Sequence, residues 1–186
     1  MILIQYPIKN GDPEIGKKII ALENTAWPES KEEEYFPSAP DTYVTSFVLM
    51  HDDKAICHVG VRKSILLHKE QMYMAYGLSE VVTHPDYRNK GLASEMIKTA
   101  ARFIIGQHPD ISIFTCKKDK VSFYTRGGWE AVKGACLVGG TKKKPFRSDA
   151  FNLVTMMMLI SPNAISHKAD FENTDIIIEL GEDQLW

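Results

Sequence analysis

The sequence predicts an α+β fold of the three-layer α/β type, in which helices flank a mixed central sheet of about six to seven strands. Two observations carry this prediction. Three strand-like runs follow one another between residues 42 and 83 with only short turns between them, as in an antiparallel meander. The third of these runs is followed by a strongly periodic helix and another strand over 71–116, which is the pattern of a right-handed crossover. Since no change of composition divides the 186 residues, we expect a single domain, 1–186.

The first 41 residues are predicted to form a strand, a helix and a loop. "ILIQYPI" at 2–8 is strand-like. The helix spans 12–27, because Asp12 is a favourable N-cap and Pro13 suits the first helical position. The segment 28–41 is acidic and contains three prolines, so we expect a loop or a broken helix that is long enough to have a purpose.

The other elements follow from the period of the apolar residues. The best helix has apolar residues at four-residue intervals from Leu92 to Ile104, with Gly106 able to end it. The predicted elements are strands 42–50 and 55–67 as a hairpin, strand 71–83, helix 89–106, strand 111–116, a short helix at 118–128, strands 129–139 and 151–159 with a basic loop between them at 140–150, and a strand-like tail at 175–186.

Composition excludes several classes of protein. A net charge of −2 gives no general attraction to nucleic acid, and no apolar run approaches the length of a membrane span. We therefore expect neither a nucleic acid nor a membrane as a partner. The three cysteines are widely spaced and the six histidines show no His-x-x-x-His pattern, so we expect no disulfide framework and no metal site. Without a secretory signal, the expected location is the cytoplasm.

The turn before the best helix, "YRNKGLAS", has the properties of an anion site. Helix N-termini carry unpaired N–H groups and a partial positive charge. Gly91 and Ala93 would let a phosphate approach the backbone, while Arg88, Lys90 and Ser94 add charge and a hydroxyl. The alternative is an ordinary strand-to-helix turn with a solvated basic edge.

A second segment, "FYTRGGW" at 123–129, follows about 35 residues later. It places Tyr124 in a short helix that stops at a glycine pair. On its own Tyr124 is also compatible with a half-buried aromatic residue whose hydroxyl reaches the surface.

Together, "VVTHPDYRNKGLASEMI" and "SFYTRGGWEAV" resemble the two signature segments of the GNAT superfamily of N-acetyltransferases. Order, spacing and intervening elements agree over roughly residues 42–160. The resemblance implies the GNAT fold, with a splay between the fourth and fifth strands that admits the pantetheine arm of acetyl-CoA. It implies acetyl-CoA as the co-substrate, a small-molecule amine as the second substrate and no metal, and a homodimer is an expected assembly.

The resemblance also implies roles for individual residues at the coenzyme. Backbone groups of the strand end should contact the pantetheine arm, and the loop and helix start should hold the pyrophosphate. The implied coenzyme-binding residues are Val81, Val82, Thr83, Arg88, Asn89, Lys90, Gly91, Leu92, Ala93 and Ser94.

The catalytic roles implied by the family are those of an acid and a base. Tyr124 would protonate the leaving thiolate. Glu80 is the candidate base, although the position that carries the carboxylate in some relatives falls on Ser79 in this sequence. Neighbouring strand residues point to opposite faces, but a β-bulge at this point would restore the direction. Glu80 as a purely structural residue remains the alternative.

The chain is most similar to the aminoglycoside 2′-N-acetyltransferases, which end in an acidic residue shortly before a tryptophan. Here "GEDQLW" has Gln184 where those relatives carry aspartate. The implied residues for a cationic acceptor are Glu33, Glu34, Asp41, Asp149, Asp183 and Trp186. A polyamine, an amino acid or a protein N-terminus is an alternative acceptor, and a non-catalytic acetyl-CoA-binding regulatory module is the alternative to an enzyme.

Overall fold

The structure is a computed structural model that describes residues 1–7, 11–28, 36–37, 42–182 and 184–186. Within it the chain divides into two compact units, each made of two stretches of chain. The first unit comprises 1–62 and 78–100, and the second comprises 63–77 and 101–186. The expectation of a single domain over the whole chain stays a prediction.

The strands and helices follow the predicted order closely. The strands are β1 (Ile2–Pro7), β2 (Tyr43–His51), β3 (Lys54–His68), β4 (Gln71–Thr83), β5 (Ile111–Lys117), β6 (Glu130–Ala131), β7 (Cys136–Gly140), β8 (Pro145–Arg147), β9 (Leu153–Leu159) and β10 (Asp175–Ile177). The helices are α1 (Pro13–Asn24), α2 (Leu92–Gly106), α3 (Val121–Thr125) and α4 (Pro162–Ser166). In the described part of the chain, no helix has the length and apolar character that crossing a membrane requires.

Within the described residues, seven strands form one mixed sheet in the order β1-β2-β3-β4-β5-β9-β6. The β1–β2 and β2–β3 pairs are antiparallel, as predicted for a meander. The β4–β5 pair is parallel and β5–β9 is antiparallel. This mixed sheet with flanking helices confirms the predicted fold class.

The parallel pair β4–β5 is short. Ala75 pairs with Ile111 and Tyr76 pairs with Ser112, although β4 continues to Thr83 and β5 to Lys117. The expected splay between the fourth and fifth strands, beyond these two pairs, stays a prediction.

The first unit has an apolar cluster between α1 and the strands. Asp12 caps α1 by accepting a hydrogen bond from Glu14 N, and Pro13 opens the helix as predicted. The buried members of the cluster are Tyr6, Ile19, Leu22, Val48, Met50, Ala55 and Val82. Burial of these side chains fixes α1 on β2, β3 and the end of β4.

In the second unit, the prediction of one strand over 129–139 is wrong. After β6, a turn closed by the Ala135 N–H to Val132 O hydrogen bond takes the chain out of the first sheet. β7 then lies in a second, three-stranded sheet of the described residues, in the order β10-β7-β8. β8 lies in the segment that was predicted to be a basic loop, and β10 in the strand-like tail.

Candidate active site

The turn between β4 and α2 is shaped by two left-handed residues. Asn89 has φ +61° and Gly91 has φ +78°. A helix cannot include these conformations, so α2 begins at Leu92 rather than at residue 89. The first bond that closes α2 runs from Glu95 N to Gly91 O.

This turn leaves a row of backbone donors available. Among the described residues, no acceptor bonds the backbone N–H groups of residues 89–94. Apart from its chain neighbours, no described residue lies within 4 Å of the position that a Cβ on Gly91 would take. Unpaired N–H groups at the start of a 15-residue helix favour an anion such as a phosphate.

Two cations stand at the same turn. Arg88 Nε donates to Thr83 O, and Lys90 Nζ donates to Asp86 O while lying 4.8 Å from the centre of the Tyr87 ring. Both side chains are exposed. Their charges therefore add to the positive potential of the helix start.

The turn is supported by aromatic residues that sequence analysis missed. The Tyr87 hydroxyl lies 2.9 Å from His51 Nδ1, and Tyr87 N–H donates to His84 O. His84 in turn donates its N–H to Ile56 O and accepts from Asp86 N through its ring. These contacts join the turn to β2 and β3, and nothing in the local sequence pattern indicates them.

Glu80 adopts a left-handed conformation inside β4, with φ +48°. This departure from regular strand geometry puts Ser79 and Glu80 on the same side, since Ser79 Oγ donates to Glu80 Oε2 at 3.1 Å. A left-handed residue inside a strand is a local irregularity of the kind that a β-bulge produces, and the bulge itself stays a prediction. The two residues considered for the role of base, Glu80 and Ser79, are therefore hydrogen-bonded to each other.

Arg62 holds that pair and was not identified from the sequence. Arg62 Nη2 lies 3.0 Å from Glu80 Oε1, and Arg62 Nε donates to Ser79 Oγ at 3.2 Å. Its guanidinium lies 4.7 Å from the centre of the Tyr43 ring and the residue is only 3% exposed. A buried guanidinium with charge-assisted bonds fixes the carboxylate in one orientation.

Gly60 makes room for this cluster on β3. A Cβ on Gly60 would lie 2.9 Å from each of three oxygens, which belong to Glu80, Ser79 and Tyr43. The Tyr43 hydroxyl also lies 3.4 Å from Ser79 Oγ. Three polar oxygens thus converge over the glycine. We call Tyr43, Gly60, Arg62, Ser79 and Glu80 the Glu80 cluster.

In the second unit, Tyr124 lies in an apolar setting on α3. Its ring contacts Phe114 edge-on at 4.8 Å and Phe123 at 5.0 Å. Burial, followed by the charge of Cys116, raises the pKa of Tyr124 well above its ordinary value. Among the described residues its hydroxyl has no hydrogen-bond partner. Tyr124 is therefore a neutral phenol with a proton to donate.

Tyr124 is positioned by the glycine turn that follows it. Tyr124 O accepts hydrogen bonds from Gly127 N and Trp129 N. Trp129 is fully buried and its indole N–H donates to Ser112 Oγ at 2.9 Å. The segment "FYTRGGW" thus forms a compact turn that is anchored to β5.

Cys116 lies in the same unit and has the properties of a core thiol. It is 7% exposed, and burial together with Asp119 raises the pKa of its thiol to about 11. A thiol that remains protonated at neutral pH is a poor nucleophile.

The proposed acceptor-binding residues are only partly within the described chain. Four of them, Glu33, Glu34, Asp41 and Asp183, lie outside the described residues. Asp149 is exposed and bonded to Arg147, whose guanidinium lowers the pKa of the Asp149 carboxyl and also pairs with Asp175. Arg147 therefore ties β8 to β10 through Asp175, and the same guanidinium holds the Asp149 carboxylate.

Trp186 is 3% exposed and packs inside the second unit. A Cβ on Gly77 would lie 2.4 Å from Trp186 Cε3, so the indole lies directly against Gly77. The Trp186 main-chain oxygen accepts hydrogen bonds from Thr115 N and Oγ1 on β5. Among the described residues its indole N–H has no acceptor. The ring therefore does not offer the open face that sugar stacking requires.

The chain is similar to known proteins through a family model and through its fold. Residues 8–132 match the family model described as "Acetyltransferase (GNAT) domain". A comparison with curated protein sequences finds no match.

Solved structures share the fold at low sequence identity. A probable N-acyltransferase from Enterococcus faecalis superposes with a TM-score of 0.59 at 18% identity over 71% of this chain and 33% of its own. ElaA from Escherichia coli superposes with a TM-score of 0.61 at 10% identity, over 84% of this chain and 98% of its own. An aminoglycoside 6′-N-acetyltransferase in complex with coenzyme A gives a TM-score of 0.55 at 14% identity, over 87% of this chain and 98% of its own. The chain thus spans about a third of the first of these proteins.

Proposed function

Because the chain belongs to the GNAT family of acetyltransferases, we propose that it moves the acetyl group of acetyl-CoA to a primary amine of a small cationic acceptor. The amine attacks the thioester directly while both substrates are bound. The observation that carries this proposal is the start of α2, where the unpaired N–H groups of residues 89–94 stand beside Arg88 and Lys90.

We assign the coenzyme pyrophosphate to this helix start. Gly91 allows close approach of a phosphate oxygen to the backbone, since the space beside it is open. Val81, Val82 and Thr83 would contact the pantetheine arm through their backbone. Val82 is itself buried, so any contact it makes uses main-chain atoms rather than its side chain.

Glu80 serves as the base in this proposal. An ammonium group must lose one proton before its nitrogen can attack the thioester carbon. Glu80 takes that proton, while Arg62 and Ser79 hold the carboxylate in place. Ser79 acts as a positioning residue through its hydrogen bond to Glu80.

Tyr124 serves as the acid. As the C–S bond of the tetrahedral intermediate breaks, the phenol gives its proton to the departing sulfur. The nitrogen gives its second proton to the Tyr124 phenolate, and the proton that Glu80 took passes to solvent, so both residues return to their starting forms. A raised pKa keeps Tyr124 protonated at neutral pH, so the proton is present when the thiolate leaves.

We propose an aminoglycoside-like acceptor with a reactive 2′-amine. The acidic segment at 28–41, which includes Glu33, Glu34 and Asp41, supports a polycationic acceptor by its charge alone. A solved structure that shares the fold is an aminoglycoside 6′-N-acetyltransferase. Since the indole of Trp186 is buried, we assign this residue to the wall of the site rather than to a stacking surface.

The test is release of free thiol from acetyl-CoA in the presence of aminoglycosides, polyamines, amino acids or short peptides. We expect turnover with an aminoglycoside, and mass spectrometry of the product should show one added acetyl group on the 2′-amine. Turnover with another class of amine, and none with an aminoglycoside, would change the proposed acceptor but would still support an acetyltransferase. Saturable binding of acetyl-CoA without thiol release for any amine would identify a non-catalytic module instead.

A further inference from the structure

A second polar group lies buried in the first unit, on α1, β2 and β3. His58 is fully buried, and its Nδ1 lies 2.9 Å from Glu23 Oε1. The two atoms are not oriented as a hydrogen bond, and neither has another hydrogen-bond partner among the described residues. His58 Nε2 lies 2.9 Å from Ser46 Oγ.

The tautomer of His58 decides what this contact means. When Nε2 carries the hydrogen and donates it to Ser46 Oγ, Nδ1 presents a lone pair. That lone pair then faces a carboxylate oxygen of Glu23 at 2.9 Å. Two electron-rich atoms at this distance repel each other unless a positive species lies between them.

Glu80 supplies a third donor to the same place. One ligand atom each from Glu23, His58 and Glu80 lies within 4.8 Å of the other two. Donors at about 2.1 Å from a zinc ion are about 3.0 to 3.4 Å apart at angles of 90 to 110°. The Glu23–His58 distance already approaches this range. The third oxygen would come into range if a bound metal turned the Glu80 carboxylate from the orientation in which Arg62 holds it.

We propose that Glu23, His58 and Glu80 bind a divalent transition-metal ion of the zinc class. One imidazole nitrogen and two carboxylate oxygens are a donor set that zinc, cobalt, manganese and iron accept. Ser46 holds the second ring nitrogen, as outer-shell partners do for metal-binding histidines.

The charges of the site are consistent with this assignment. With neutral His58, the carboxylates of Glu23 and Glu80 and the guanidinium of Arg62 sum to one negative charge. A divalent ion with a bound hydroxide, or another singly charged anion in its open coordination position, brings the total to zero. The sequence did not indicate this site, because its ligands are separated by 35 and 22 residues along the chain.

Occupancy of this site would withdraw Glu80 from acetyl transfer. A carboxylate oxygen bound to a metal is a much weaker base than one that is held by a guanidinium. The metal is therefore an inhibitor of the proposed reaction. This consequence rests on the proposed function, whereas metal binding itself does not.

The experiment is a titration of the chelator-treated protein with Zn²⁺ by calorimetry and with Co²⁺ by visible absorption. We expect one equivalent to bind with a dissociation constant of about 10 μM or tighter. Glu23→Gln and His58→Gln should each weaken binding at least tenfold and remove the cobalt absorption bands. Glu14→Gln is the matched control, because this exposed glutamate lies on the same helix and pairs only with Lys17 among the described residues.

Two results would overturn the site: no saturable binding by the wild type, or binding that neither variant weakens. Circular dichroism and thermal unfolding without metal will establish that Glu23→Gln is folded; if His58→Gln does not fold, Glu23→Gln alone decides. In the thiol-release assay, Zn²⁺ should inhibit the wild type and a chelator should restore it. Stimulation by Zn²⁺ would overturn the inhibitory role, while absence of turnover with every amine would affect only the proposed function.

Discussion

The two residues proposed to move protons, Glu80 and Tyr124, are held in opposite ways. Glu80 lies among partners: a buried guanidinium from Arg62, a hydroxyl from Ser79 and the Tyr43 ring beneath the guanidinium. The hydroxyl of Tyr124 has no hydrogen-bond partner among the described residues, and its ring is packed against Phe114 and Phe123.

This difference follows from the chemistry that each group would perform. A base must be ionised, and a carboxylate away from bulk water requires a countercharge. An acid must keep its proton, and an apolar setting achieves that for a phenol without any partner. The base therefore depends on several other residues, whereas the acid depends mainly on its own hydroxyl.

The largest effect is expected for Tyr124→Phe. This change removes only the hydroxyl, so turnover should fall by about 10² to 10⁴-fold. Binding of acetyl-CoA should change by less than about twofold, because the helix start at residues 89–94 is untouched. Thiol-release kinetics and calorimetry measure the two effects, and unchanged turnover would remove Tyr124 from the acid role.

The variants Glu80→Gln and Ser79→Ala show which of these two residues acts as the base. We expect turnover to fall by about 10²-fold for Glu80→Gln, since the amide cannot accept the proton. Ser79→Ala should cost about tenfold or less, because Arg62 still holds the carboxylate. If Ser79→Ala is the more damaging change, the serine or a water bound to it is the base.

The variant Gly60→Ala tests whether turnover and stability depend on the arrangement of the residues around Glu80. The new methyl group would lie 2.9 Å from three oxygens of the Glu80 cluster and must displace them. We expect a loss of about 1 to 3 kcal/mol in the free energy of unfolding and about tenfold in turnover. Gly106→Ala is the control, since among the described residues nothing beyond its chain neighbours and its own helix backbone lies within 4 Å of the new methyl group. Equal behaviour of the two variants would show that the cluster tolerates displacement.

The smallest effect concerns stability at high pH. The pKa of Tyr124 is raised in the folded state, so its phenol stays neutral while the same group in the unfolded chain ionises above about pH 10. Each pH unit beyond that value then costs about 1.4 kcal/mol until the folded pKa is reached.

Tyr124→Phe removes this contribution, so its free energy of unfolding should decline less steeply between pH 10 and 11 than that of the wild type. Urea unfolding at several pH values measures the difference. The other buried tyrosines are common to both proteins and cancel in the comparison. Parallel curves would mean that Tyr124 ionises in the folded state as readily as in the unfolded chain.

Local patterns accounted for much of the fold. β4 has the bounds that the sequence predicts, and α1 begins with the predicted cap at Asp12. The start of α2 was placed three residues too early, because the left-handed conformations of Asn89 and Gly91 cannot be read from the apolar period. Periodicity reports burial and does not report the sign of φ.

Contacts between distant segments could not be predicted. Arg62 is an ordinary charged residue in a strand until the fold places it 3.0 Å from Glu80. His58 and Glu23 share no spacing rule, and the second sheet of the described residues depends on β7 meeting β8 and β10. Such pairings depend on tertiary structure, so the local sequence pattern does not predict them.

The close packing of Trp186 on Gly77 has a consequence for how this chain can vary. Any side chain at position 77 would collide with the indole, and its Cβ would also lie only 2.8 Å from the main-chain oxygen of Ile113. A smaller residue at 186 would relieve the first clash but not the second. We therefore expect related sequences to keep glycine at 77 even where residue 186 differs.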